Sequence, residues 1–186
     1  MVRFFPVAGN DAANMNDFSA PRGDGRRSHA GNDIMGAEGT PLIAVDDGQV
    51  RFGSDPLGGN VANLYADDGT KYYYAHLLNF AGTGPRRAQA GEVIGYLGRT
   101  GNAATTPPHL HFEVHPGGGA PVDPAPIINS APRVPTGGGG GGGGAITRAS
   151  SNPLRILALA ALAGATVYAV MNPRATERSI RRLVPR

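Results

Sequence analysis

Residues 1–136 are predicted to be all-β, and three observations carry that prediction. Short apolar runs are separated by Gly, Pro and Asp clusters; Asp-Gly pairs sit between such runs at Asp47-Gly48 and Asp68-Gly69; and no window shows a sustained helical period. With 186 residues in all, one domain with appendages is the expectation, since domains usually run to roughly 100–200 residues. Cysteine is absent, which excludes disulfides and thiolate ligands and leaves imidazole and carboxylate to hold any metal.

Taken in order, residues 41–52 (PLIAVDDGQVRF) give an apolar run, a turn at Asp47-Gly48 and a second run, which predicts a β-hairpin. Residues 60–77 (NVANLYADDGTKYYYAHL) repeat the pattern around Asp68-Gly69 and predict another. AGEVIGYLG at 90–98 reads as a strand punctuated by glycine. HLHFEVH at 109–115 alternates strictly, so His109, His111, Glu113 and His115 share one face while Leu110, Phe112 and Val114 share the other.

Beyond this domain the composition changes. Gly137 to Gly144 is an unbroken run of glycine, expected to behave as flexible coil within a linker over 137–150. Asn152-Pro153 supplies a helix start, Leu154 to Met171 is almost wholly apolar, and Asn172-Pro173 supplies a stop. A helix over those residues would be about 27 Å long, enough to cross a hydrocarbon core near 30 Å. Residues 151–173 are therefore expected to form a single C-terminal transmembrane helix, with 174–186 as an Arg-rich tail. Ala161, Ala165 and Ala169 recur at four-residue spacing, a pattern that suits helix pairing and suggests a homo-oligomer.

Charge divides along the same boundary. Residues 1–136 carry ten Lys/Arg against thirteen Asp/Glu, while residues 137–186 carry seven Arg against Glu177 alone. A nucleic-acid-binding role for the whole chain is excluded by that split; the tail alone is suited to nucleic acid or anionic lipid. The arginines after the apolar segment place the C-terminus on the cytoplasmic side, or facing another compartment rich in anions. MVRFFPVAGNDAANMND lacks the apolar core and cleavage pattern of a secretory signal peptide, so ordinary secretion is a poor expectation.

The chemistry-bearing residues fall in three islands: His29 with Asp33, then His76, then His109 with His111. A catalytic zinc takes three nitrogen or oxygen ligands and leaves a fourth position for water, which this inventory is able to satisfy. Singly, each island has a blander reading. His-x-His is common on strands, His-x-x-x-Asp suits a surface turn, and a histidine at a strand end is ordinarily satisfied by a backbone group.

Together the islands and their flanks change that balance. HAGNDIMGAEGTPLIAVDDGQV, then YYYAHL, then AGEVIGYLGRTGNAATTPPHLHFEV resemble the lysostaphin/LytM-type zinc endopeptidases in residue type, order and spacing, from about residue 4 to Pro124. The resemblance implies an antiparallel β-sheet core with a loop-lined groove and Zn2+ as cofactor. It implies His29, Asp33 and His111 as zinc ligands, His76 and His109 as catalytic histidines, and peptide bonds of bacterial peptidoglycan as substrate. Two departures stand out: Asn32 occupies a position usually apolar in that family, and Pro107 stands where many members have glycine. His115 is expected to be exposed and not a ligand, and Glu113 to support a loop or accept a hydrogen bond from a ligand imidazole.

Two functions from different classes follow. One is a membrane-anchored zinc endopeptidase, placed either in the bacterial cell envelope or in the internal membrane of a membrane-containing phage, where it would act as a virion lysin at entry. The other is a structural membrane protein with a non-catalytic domain that binds wall or a partner, its basic tail contacting nucleic acid or anionic lipid.

Overall fold

The computed structural model describes residues 3–136. The glycine linker, the apolar helix and the Arg-rich tail expected from the sequence lie outside the described residues. Among the described residues no helix is long and apolar enough to cross a membrane.

In chain order the strands are β1 (Ala13–Asn14), β2 (Pro21–Arg22), β3 (Arg27–Ser28), β4 (Asn32–Met35), β5 (Pro41–Ile43) and β6 (Gly48–Asp55). They continue with β7 (Gly59–Ala66), β8 (Lys71–Ala75), β9 (Asn79–Phe80), β10 (Arg86–Ala88), β11 (Val93–Tyr96) and β12 (His109–His115), followed by one short helix, α1 (Ala125–Ile128). Seven strands form the main sheet in the order β1-β4-β12-β8-β7-β6-β10, three form a smaller sheet β5-β11-β9, and β2 pairs with β3. Neighbouring strands are antiparallel throughout these sheets. The all-β antiparallel expectation is met.

Period-two alternation decides which face does what. Leu110, Phe112 and Val114 of β12, with Tyr72 and Tyr74 of β8 and Leu64 of β7, are buried on the back of the main sheet. They join Leu42 of β5 and Ile94 of β11 in one core cluster. Each fully buried Leu, Val or Phe side chain contributes about 1.5–3 kcal/mol relative to exposure, so this face anchors the sheet. The opposite faces of β12, β8 and β4 are thereby free to carry polar side chains.

The hairpin around Asp68-Gly69 forms as expected, with β7 pairing β8 so that Tyr65 lies opposite Lys71. The expected hairpin over 41–52 does not form. β5 pairs with β11 in the smaller sheet, and β6 pairs with β7 and β10 in the larger one. Asp47-Gly48 is instead a crossing between sheets, where Asp47 Oδ1 accepts the Ala90 N–H at 2.8 Å. β6 turns into β7 through Pro56-Leu57-Gly58, where Asp55 Oδ1 accepts the Leu57 and Gly58 N–H groups at 3.0 and 2.6 Å.

Asn32 takes the core-facing position of β4 and is completely buried opposite Phe112. Neither its Nδ2 nor its Oδ1 has a hydrogen-bond partner. The departure noted in the sequence is thus a polar side chain set in an apolar layer.

Candidate metal centre and cleft

Strand pairing brings two of the three islands together. β12 runs beside β4 with His111 directly opposite Asp33, and both side chains point to the front face. His29 directly follows β3, and the intervening chain returns to β4 through Gly31. A Cβ at Gly31 would lie 2.2 Å from the Phe112 carbonyl oxygen, so only glycine lets the loop pass this close to β12. His29 Nε2 and Asp33 Oδ1 are 3.2 Å apart, His111 Nδ1 and Asp33 Oδ1 are 3.2 Å apart, and the two imidazole nitrogens approach to 2.8 Å. One ligand atom from each residue lies within 4.8 Å of the others.

The far nitrogen of each of these two imidazoles has an acceptor. His29 Nδ1 lies 3.1 Å from the Asp17 carbonyl, and His111 Nε2 lies 2.9 Å from Glu113 Oε1. With those nitrogens protonated, the lone pairs of His29 Nε2 and His111 Nδ1 face the shared centre beside Asp33 Oδ1. Two imidazole nitrogens and a carboxylate oxygen are a donor set that suits Zn2+, so the residues fit the metal expected from the sequence.

Electrostatics in the metal-free cluster reflect the same convergence. Burial acts to raise the Asp33 carboxyl, but hydrogen bonds from His111 and His29 outweigh it and hold the group far below the usual carboxylate range. For His111, burial acts to lower the imidazole, yet the carboxylates of Asp33 and Glu113 together raise it to about 9.

His76 and His109 occupy the same mouth. His109 Nε2 is 3.9 Å from Asp33 Oδ1, and the His76 ring lies 4.9 Å from that of His109 and 6.1 Å from that of His111. His109 Nδ1 is committed to the Pro107 carbonyl at 2.8 Å and His76 Nδ1 to the Thr100 carbonyl at 2.9 Å, so each keeps its Nε2 for other work. Burial pushes His76 down to about 4, only partly opposed by the Thr100 bond, so its imidazole is neutral at pH 7. Its backbone is left-handed at φ 66°, a costly conformation outside glycine that aims the side chain back over the sheet.

All five residues line one cleft of about 470 Å³. Ala75, Tyr73, Asn63 and Lys71 of the neighbouring strands β7 and β8 also line it, as do Arg22, Arg27, Leu57, Asn102 and Thr106. The Tyr73 hydroxyl donates to Asp55 Oδ2 at 2.8 Å, tying β8 to the β6–β7 turn.

His115 corrects the sequence expectation, because it is buried. Its Nε2 is 2.6 Å from Glu113 Oε2 and its Nδ1 is 2.8 Å from the Gly119 carbonyl. It is not among the convergent donors, and it holds Glu113 from the side away from His111. Of the two roles expected for Glu113, the contact with the His111 imidazole is the one its Oε1 makes, at 2.9 Å. Two residues that sequence reasoning missed are Asp17 and Arg22, which touch His29 and Asp33 directly. No periodicity or spacing marks them; a lone Asp and an Arg in a Gly-rich loop look like ordinary turn residues.

An all-β domain with a two-histidine, one-carboxylate centre on the floor of an open cleft is thus defined by fold and site. The chain belongs to Peptidase family M23, whose pattern matches residues 27–124, more than half its length. It is 36% identical over 109 residues to the DD-carboxypeptidase/endopeptidase Mpg of Neisseria meningitidis serogroup B, a match covering 58% of this chain and 24% of that protein. The glycyl-glycine endopeptidase ALE-1 of Staphylococcus capitis is 36% identical over 100 residues, covering 50% of this chain and 26% of its own. The chain therefore spans about a quarter of the length of these curated relatives.

Among solved structures, a lytM protein from Ruminococcus gnavus superposes with a TM-score of 0.64 at 26% identity, over 73% of this chain and 63% of its own. The catalytic domain of lysostaphin from Staphylococcus simulans superposes with a TM-score of 0.56 at 28% identity, over 63% and 92%.

Proposed function

We propose that this chain is a zinc-dependent endopeptidase that hydrolyses peptide bonds in bacterial peptidoglycan. The observation that carries the reading is the convergence of His29 Nε2, Asp33 Oδ1 and His111 Nδ1, with two further imidazoles at the same cleft mouth. Names of relatives from Neisseria and Staphylococcus support the substrate class.

His29, Asp33 and His111 would hold the zinc, which when bound supplies Lewis-acid polarisation of a carbonyl and lowers the pKa of water. The remaining steps belong to the chain's own groups. The neutral Nε2 of His76 is a proton acceptor, and His109 lies beside it with its own Nε2 uncommitted. One of the two imidazoles takes the proton from the attacking water at Nε2, and the Nε2–H so formed then donates to the oxyanion or to the leaving amine at the scissile bond. An extended peptide laid in the cleft, which Ala75 and Tyr73 also line, presents its backbone to this pair.

The +6 balance of 137–186 and the apolar run 154–171 support a single-pass membrane protein, in the cell envelope or in the internal membrane of a phage particle, with the tail on nucleic acid or anionic lipid. The same tail supports a second reading, a structural membrane protein with a wall-binding domain that does not cleave. Incubating the full chain with purified cell walls and identifying released peptides by mass spectrometry separates the two. Peptide release that ends with His109→Ala and with chelation supports the enzyme. Wall binding without release supports the structural protein.

A further inference from the structure

We infer that Asp17 and Arg22, both outside the family-matched span 27–124, are positioning residues of the metal centre, Asp17 favouring the ligating tautomer of His29 and Arg22 leaving Asp33 to ligate through one oxygen. The inference rests on the zinc reading above.

Asp17 touches both early ligands. Its Oδ1 accepts the backbone N–H of Asp33 at 2.9 Å, its backbone carbonyl lies 3.1 Å from His29 Nδ1, and its Oδ2 lies 3.3 Å from the same nitrogen. Asn16 and Ser19, on either side of it, have left-handed φ values of 53° and 64°. Such conformations are costly outside glycine, and here they turn the Asp17 carbonyl and carboxylate to the same side. Backbone bonds clamp the segment down: Met15 N–H donates to the Asp33 carbonyl, Ser19 N–H to the His29 carbonyl, and His29 N–H to the Ala20 carbonyl, each at 2.9 Å.

Arg22 completes the clamp. Its Nη2 pairs with Asp17 Oδ2 and lies 3.0 Å from Asp33 Oδ2. With Oδ2 engaged, Oδ1 is the oxygen left facing His29 and His111. The same Nη2 is 3.0 Å from His29 Nδ1, so Arg22 and Asp17 compete for that nitrogen. Donation by Arg22 would need a lone pair on Nδ1 and a proton on Nε2, which removes Nε2 as a ligand. Acceptance by Asp17 needs the proton on Nδ1 and keeps Nε2 available. Asp17 also draws the guanidinium away through its own ion pair, so truncating its side chain leaves the backbone carbonyl as the acceptor of Nδ1 but removes the Oδ2 contact and frees Arg22 to compete for that nitrogen.

The test uses the full chain stripped of metal. Zinc affinity is read by competition with a chromophoric chelator, and cobalt substitution reads coordination through its visible absorption. Asp17→Ala is expected to weaken zinc binding about 10–100-fold, the usual effect of removing an outer partner of a metal ligand. Arg22→Ala is expected to alter the intensity of the cobalt bands as Asp33 Oδ2 becomes free to bind, and Arg22→Lys to restore most of the original spectrum. If Asp17→Ala does not fold, Asp17→Asn keeps an acceptor for the Asp33 N–H and is expected to show a smaller loss of zinc affinity. Folded Asp17 and Arg22 variants with wild-type zinc affinity and cobalt spectrum would overturn the inference, even if their melting temperatures fell. A wild-type chain that binds one zinc yet cleaves no wall refutes the peptidase reading and leaves this one standing; a chain that takes up no zinc refutes both.

Discussion

His111 lies directly opposite Asp33 in the β4–β12 ladder, with Nδ1 3.2 Å from Oδ1. Two residues 78 positions apart in sequence are therefore placed by strand register, and a one-residue slip of either strand would turn one of them into the core. The core-facing partners Ile34, Leu110 and Phe112 resist that slip, so the apolar face of the sheet keeps the polar face in register.

Glu113 sits between His111 and His115, 2.9 Å from one and 2.6 Å from the other. Glu113→Gln replaces one acceptor oxygen by a donor, which then faces an imidazole nitrogen. Zinc affinity is expected to fall about 10–100-fold while the fold survives. Isothermal titration of the metal-free chain checks this, and unchanged affinity would show that His111 needs no partner behind it.

His76 gives a pH dependence with a definite sign. Its folded-state value, pushed down to about 4 by burial, lies below the ordinary 6.5, so the unfolded chain takes up the proton first as pH falls. Its contribution to stability is full above about 6.5 and is lost as pH falls towards 4. In His76→Asn, a residue that tolerates the left-handed backbone, the fall in melting temperature between pH 6.5 and 4 is expected to be shallower than in the wild type. The same variant is expected to lose about 10²–10⁴-fold in wall-peptide release at neutral pH. Identical melting profiles for the two proteins would contradict the buried neutral imidazole.

Asn32 offers a gain. Both its polar side-chain atoms are buried and unpaired, a condition that costs about 1–3 kcal/mol. Asn32→Val suits a core-facing strand position and is expected to stabilise the chain by about that amount, read as a higher urea midpoint with an unchanged slope. A lower midpoint would mean that the amide has a role the apolar residue cannot fill.

The sequence showed what local pattern encodes. Strict alternation in His109–His115 gave the polar and apolar faces of β12, and Asp68-Gly69 gave the β7–β8 hairpin. The partners of β5 and β6 were not legible, because an Asp-Gly turn specifies a reversal of the chain and says nothing of which sheet each arm joins. His115 looked exposed at a strand end before Pro116-Gly117. The following turn folds back instead, pairing Val122 with Val114 and placing the Gly119 carbonyl on the imidazole. Asp17 and Arg22 were invisible for a related reason: they reach His29 and Asp33 across a loop of irregular backbone that carries no period.

The central claim is that His29, Asp33 and His111 hold one zinc that the cleft uses for peptide hydrolysis. The most direct measurement adds zinc stepwise to the metal-free full chain while following peptide release from purified cell walls. Release should rise with added zinc, level off at about one equivalent per chain and stay absent in Asp33→Ala at that loading, given three ligands for a single catalytic ion. Full release by the metal-free chain, or release by Asp33→Ala equal to the wild type, would contradict it.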